Sequence, residues 1–231
     1  MSRLEQMAEA RRRAATVARM RALAQSNGGA ELGAGPRAAQ ERCDVCNAPL
    51  PEDHRHLLQL EERRIVCACE PCWALHSGDP EFRPVGTRIL WLEPFELDDE
   101  LWGRFQIPIG LAFLMRSTVT GGVVAFYPSP AGATESELSL DSWEELVRRN
   151  PVLEHLEPDA EALIVNRLGD PHQHAIAPID QCYALVGLIK TRWEGISGGG
   201  ALREAVPQFF AALRERATPV AEVRFSPELE R

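Results

Sequence analysis

Residues 43–72, CDVCNAPLPEDHRHLLQLEERRIVCACEPC, hold five of the six cysteines of the chain. They are spaced Cys43-x2-Cys46, then twenty residues, then Cys67-x-Cys69-x2-Cys72. Two Cys-x2-Cys pairs at this separation suit a tetrahedral ion, because each pair wraps one tight turn around the metal and the gap supplies a hairpin. His56 to Leu60 (HLLQL) and Arg64 to Cys67 (RIVC) read as the two strands of that hairpin, with Glu61-Glu62-Arg63 as the turn. Acid and then proline at Glu70-Pro71 mark the first turn of a short helix, continued by Trp73-Ala-Leu-His and stopped before Gly78.

Turn, hairpin and helix in this order resemble a treble-clef zinc finger. In that geometry Cys43 and Cys46 lie on the tight turn and Cys69 and Cys72 on the first helical turn, where backbone amides favour thiolates. These four are the expected zinc ligands. Cys67 is then surplus, and three roles are open to it: apolar filler, hydrogen-bonded support, or competing ligand. His54, His56 and His76 are alternates, although four thiolates already complete a tetrahedron and loop hydrogen bonding is the plainer role for the imidazoles. An iron–sulfur cluster or reversible disulfide chemistry are the alternatives to zinc. A secreted disulfide framework fits poorly, because the cysteines crowd into 30 residues instead of spreading through the chain.

Outward from the cysteines, the expected organisation is an N-terminal helix over residues 1–25, a Gly-rich linker over 26–40, the finger over 41–82 and a mixed domain over 83–231. The linker follows from four glycines and a proline in SNGGAELGAGP (26–36). In the larger domain, RILWL (88–92) and IPIGLAFLMR (107–116) read as strands. The second should be buried on both faces, because its apolar run does not alternate. Gly121-Gly122 suits a hairpin turn into VVAFY (123–127), so these strands should pair antiparallel. Asp98 or Asp99 caps a short helix through Phe105, and Ser139 or Asp141 caps another that stops at Asn150-Pro151. Ala162–Arg167 and Ala175–Pro178 add strands. Asp180 is expected to cap an apolar helix to Arg192, and a last amphipathic helix runs from Ala201 to about Arg216, kinked or restarted at Pro207. The expected fold class is α+β: a small finger followed by an antiparallel sheet with helices.

Composition narrows the function. With 231 residues, 45% of them apolar and 26% charged, the chain has the balance of a globular protein. Its longest apolar run, 107–115, is broken by Pro108 and too short to span a bilayer. MSRLEQMAEARRR shows no signal-peptide pattern, so a cytoplasmic location is expected. Net charge is −9, and residues 41–82 carry nine acidic against four basic side chains. Acid surrounding the finger opposes approach to phosphates, so a nucleic-acid-binding finger is a weaker alternative even with the +4 of residues 1–40.

No P-loop, dinucleotide glycine fingerprint or HExxH motif occurs. Cys182, His172, His174 and Asp180 fall within eleven residues, but closeness in sequence does not build a catalytic triad. Asp170, His172 and His174 alternate as a metal pinch would, across an expected exposed turn. Tyr127–Glu137 (YPSPAGATESE) reads as a polar loop whose hydroxyls could meet a ligand.

The strings CDVCNAPLPEDHRHLLQLEERRIVCACEPC, IPIGLAFLM, VVAFYPSPAGATES, NPVLEHLEPDAEALIVNR and PIDQCYALVGLIKTRWEGISGG resemble an actinobacterial-type family of uncharacterised proteins encoded beside genes for NiFe uptake hydrogenases. The resemblance covers residues 41–216. It implies an accessory role near hydrogenase maturation or its electron-transfer partners, with a hydrogenase subunit or maturation factor as the protein partner. The residues themselves add a zinc-stabilised α+β protein without an evident catalytic constellation.

Overall fold

The computed structural model describes residues 41–129, 131–136, 138, 140–193 and 199–220. The expected N-terminal helix and linker lie outside these residues. The chain divides into Met1–Gln40 and Glu41–Arg231, and the second unit contains everything that follows.

The finger begins with a tight turn. Arg42 and Pro49 form an antiparallel bridge around it. Its backbone closes through Asn47 N–H donating to Cys43 O and Cys43 N–H to Ala48 O, each at 2.8 Å. Asn47 takes the left-handed conformation, φ 63°, which asparagine tolerates better than most residues. Strands β1 (Arg55–Gln59) and β2 (Arg64–Ala68) form the expected antiparallel hairpin, and β3 (Phe82–Pro84) adds a strand on the other side of β1. Helix α1 (Glu70–His76) follows β2 directly, with Cys69 at its N-cap and Pro71 in its first turn.

Both faces of this hairpin are occupied. Leu57, Val66 and Ala68 point to one side and pack with Cys72, Trp73 and Phe82. Leu58, buried, and its neighbours Ile65 and Leu60 point to the other side and join the core of the larger sheet. The finger therefore shares a hydrophobic core with the rest of the unit.

That sheet is built from β4 (Leu90–Trp91), β5 (Leu111–Ser117), β6 (Gly122–Ser129), β7 (Gly132–Ser136), β8 (Glu161–Asn166), β9 (Gln173–Pro178) and β10 (Thr218–Pro219). The seven strands run β10-β4-β9-β8-β5-β6-β7, antiparallel throughout except the β10–β4 pair. Helices α2 (Asp99–Arg104) and α3 (Leu140–Arg149) cover one face, with a 3-10 turn at Pro151–His155. Helices α4 (Ile179–Arg192) and α5 (Gly199–Arg216) cover the other. This is the expected α+β class with an antiparallel sheet.

Strand β5 shows why its sequence does not alternate. Leu111, Phe113 and Met115 pack toward α4 and α5, while Ala112 and Leu114 pack toward α2 and α3. Period-two geometry sends successive side chains to opposite faces, so burial on both leaves no polar position until Arg116. Phe113 stacks on its cross-strand partner Phe126 at 5.1 Å between centroids. The turn at Gly121, φ 69°, joins β5 to β6 as its sequence requires.

Asp98 is the N-cap of α2, its carboxylate accepting the Leu101 amide at 2.8 Å and so satisfying one of the helix's unpaired first-turn donors. The end of α3 is pinned by Asn150, whose side chain accepts from Glu96 N–H at 2.8 Å and donates to Glu96 O at 2.9 Å. Helix α5 continues through Pro207 without ending. Of the two residues expected to cap α3, Ser139 lies outside the described residues and Asp141 sits within the first turn.

Asp180 differs from expectation. Helix α4 starts two residues earlier than an Asp180 cap implies, at Ile179, with Pro178 at the N-cap and no side-chain cap. Asp180 Oδ1 accepts from Gln181 N–H at 2.7 Å within the first turn, while Oδ2 accepts a 2.8 Å hydrogen bond from His56 Nδ1 in the finger. A group that local sequence assigns to its own helix is thus shared with a tertiary contact. The expected polar loop at Tyr127–Glu137 is mostly the β6–β7 hairpin, and the Ser129 hydroxyl is engaged by Gly132 O, Ala131 N–H and Thr134 Oγ1.

Candidate metal centre

The tight turn brings Cys43 and Cys46 to one side of β2, and the β2–α1 junction brings Cys69 and Cys72 to meet them. The four Sγ atoms lie within 4.8 Å of one another, a group that could hold a metal ion. Cys46 Sγ and Cys69 Sγ, from opposite ends of the motif, are 3.6 Å apart. Four sulfurs at about 2.3 Å from a tetrahedral ion would have edges of roughly 3.8 Å, so the donor set fits.

Sequence explains this local geometry. A Cys-x2-Cys turn needs one residue of left-handed backbone, and Asn47 supplies it. Cys69 can approach from the helix start because, at the N-cap of α1, its side chain makes no cap hydrogen bond while its carbonyl accepts from Trp73 N–H at 2.8 Å. Asp44, inside the turn, clamps β2: Asp44 N–H donates to Cys67 O and Cys67 N–H donates to Asp44 Oδ2, both at 2.8 Å. Turn and strand are thereby fixed relative to each other.

The thiols do not ionise alike. Burial opposes a charge on Cys43, but the backbone amides of Cys69, Cys46 and Val45 outweigh it and bring its pKa down to about 6. Cys72 is pushed up to about 12, first by its hydrogen bonds with Cys69 and Cys46 and then by burial. For Cys69 the backbone amide and thiol of Cys72 favour the thiolate, but burial and the bonds to Cys46 and Cys43 together outweigh them and raise it. One thiolate forms readily and further ones are resisted by their neighbours, which is the charge problem a divalent cation resolves.

The remaining expected alternates stand apart from this group. His76 Nδ1 faces Asp79 Oδ2 at 2.7 Å and its ring lies edge-on to Phe82. His54, His56 and Cys67 form a second set, with ligand atoms within 4.8 Å of one another. His54 Nδ1 is 3.0 Å from Pro51 O, and the Nε2 atoms of His54 and His56 are 3.2 Å apart. Burial and the carboxylates of Asp44 and Glu41 raise the Cys67 thiol.

The candidates in the larger domain do not assemble. Cys182 is fully buried in the core beneath α4, its thiol raised well above normal by burial and directed at Pro178 O. His174 stacks on Phe95 over the opposite face of the sheet, at 4.4 Å between centroids. Burial, then the nearby charge of Arg167, depresses His174 to about 4. His172 and Asp170 are exposed. Cys182, His174 and Asp180 therefore face three different environments. Among the described residues, the two sets in the finger are the groups suited to an ion, and no helix is long and apolar enough to cross a membrane.

Fold and site define a mixed α+β protein with an antiparallel sheet and a four-cysteine group able to hold a metal ion. Residues 42–217 match the Family of unknown function (DUF5947), and the chain belongs to that family. No curated protein and no solved structure matches it.

Proposed function

We propose that this chain is a non-catalytic, zinc-stabilised accessory or assembly protein, with Cys43, Cys46, Cys69 and Cys72 as the zinc ligands. The observation that carries the reading is the convergence of four sulfurs from a turn and a helix start within 4.8 Å. A closed set of four thiolates leaves zinc no free position, which makes it a structural ion. Zinc supplies folding energy at such a site, on the order of 10 kcal/mol for small fingers. Here it fixes a turn and helix on a hairpin whose other face is part of the main core.

The accessory role is read further as association with NiFe hydrogenase maturation or its electron-transfer partners in the cytoplasm. Support for that step is the sequence resemblance over residues 41–216. Elemental analysis of unheated, tag-free protein should find zinc and no iron, and the protein should be colourless. Iron with visible absorption would replace this reading by a redox one. Affinity capture from a native host should recover a hydrogenase subunit or maturation factor, and capture of neither defeats the association. A salt-sensitive DNA-binding assay should be negative; salt-dependent binding would favour a nucleic-acid finger.

A further inference from the structure

His54, His56 and Cys67 are brought together by strand register. His56 and Cys67 are direct cross-strand partners of β1 and β2, and His54 lies two residues before His56 and so on the same side. Each imidazole is oriented by its Nδ1. His54 Nδ1 is 3.0 Å from Pro51 O and 3.6 Å from Glu41 Oε2, and His56 Nδ1 is 2.8 Å from Asp180 Oδ2. A carbonyl and a carboxylate can only accept, so both Nδ1 atoms carry the proton and donate. Neutral rings in that tautomer have a bare lone pair on Nε2.

Those two Nε2 atoms face each other at 3.2 Å. Two lone pairs at this distance repel unless a proton or a metal ion lies between them, and the Nε2 pair is therefore either an imidazolium–imidazole hydrogen bond or two ligands of one ion. Two imidazole nitrogens at about 2.05 Å from a tetrahedral ion would be roughly 3.3 Å apart, which matches. Cys67 Sγ completes a set whose members all lie within 4.8 Å. Behind the rings stand a carboxylate and a carbonyl, the supports that metal-binding histidines ordinarily have. The His54 side chain is only 5% exposed, so its orientation is set by packing as well.

We propose that His54 Nε2, His56 Nε2 and Cys67 Sγ form a second metal site, separate from the four-cysteine group, for a divalent ion of the zinc class. Two imidazoles and one thiolate are a borderline-soft donor set that suits zinc. Three protein ligands leave one tetrahedral position for water or for a donor group of another molecule. The site lies where the finger meets α4, since Asp180 belongs to that helix. It does not depend on the reading of the four cysteines as a zinc centre.

Cadmium-113 resonance of the full, unsubstituted chain tests this without relying on a variant. Two signals are expected, one in the range of four sulfur ligands and one upfield in the range of mixed nitrogen and sulfur, coupled to the His54 and His56 rings. Zinc content should be two equivalents, and His54→Ala/His56→Ala should reduce it to one while the sulfur-rich signal persists. A sulfur-rich signal alone, with a proton found on Nε2 of either ring, overturns the second site and leaves the four-cysteine reading standing. A mixed signal alone has the opposite meaning.

Discussion

His56 and Asp180, 124 residues apart in sequence, are joined by a 2.8 Å hydrogen bond from imidazole Nδ1 to carboxylate Oδ2. Their side chains are 25% and 15% exposed, so water competes weakly for either. The bond ties the finger hairpin to the first turn of α4. Replacing Asp180 by Ala should free the His56 ring to rotate. Loss of such a support typically weakens metal affinity about 10- to 100-fold. Competition with a chelator should show that loss at the mixed nitrogen and sulfur site alone, leaving the four-cysteine group unchanged.

Cys69→Ser and Cys72→Ser should each abolish zinc binding at the four-cysteine group and disorder the finger, because folding and metal binding are linked there. Circular dichroism and zinc content measured together will show it. Cys67→Ser should leave that group loaded and lower the content by the second equivalent. The reverse pattern would reassign the ligands.

Zinc affinity at the four-cysteine group should fall with pH. Cys43, near 6, is already ionised at neutral pH, whereas Cys72, at about 12, must release a proton to bind. Binding therefore releases protons, and acid opposes it. A fall of at least about tenfold per pH unit between pH 7.5 and 6 is expected by competition with a chelator of known affinity. Affinity independent of pH would contradict this thiol chemistry.

His174 should make stability acid-sensitive. Its pKa falls from 6.5 to about 4 on folding, because the buried ring resists a charge. Between those values the unfolded chain binds more protons, so the contribution is complete above 6.5 and is lost as pH falls through 4. The loss amounts to about 3 kcal/mol at pH 4 relative to pH 7. His174→Leu should gain by about that amount relative to the unmodified protein over the same interval, measured by urea unfolding. Parallel pH profiles would show that the ring does not titrate as its burial requires.

Arg88 holds Glu161 with two hydrogen bonds, Nε to Oε1 at 2.7 Å and Nη2 to Oε2 at 2.5 Å. Glu161 is only 5% exposed at the start of β8. Arg88→Ala leaves its carboxylate buried without the guanidinium and should cost about 2 to 3 kcal/mol of stability by denaturant unfolding. Arg88→Ala/Glu161→Gln should recover part of that loss, since the uncompensated charge is the larger share.

Much of this architecture is legible in the residues. The apolar run of β5, the Gly121-Gly122 turn and the Asp98 cap act through local rules, and the cysteine spacing foretells the four-sulfur cluster. Strands β3 and β10, three and two residues long, have too few side chains to show a period. The second cluster turns on one residue of register. A three-residue turn at 61–63 would pair Leu60 with Arg64 and put His56 opposite Ala68. The turn instead spans 60–63, Gln59 pairs with Arg64, and His56 meets Cys67. A slip of one residue changes the face of every side chain, so only three-dimensional pairing reveals this set. Asp180 likewise looks like a helix cap until its distant partner is known.

Leu58, Ile65 and Leu60 give the hairpin an oily underside seated on the large sheet, and β3 extends to Pro84. Severing the chain after residue 82 would strip away that seat and cut β3 short. The finger is consequently no detachable cassette: grafted elsewhere, even with its ion in place, it would bring a sticky surface into water and tend to self-associate.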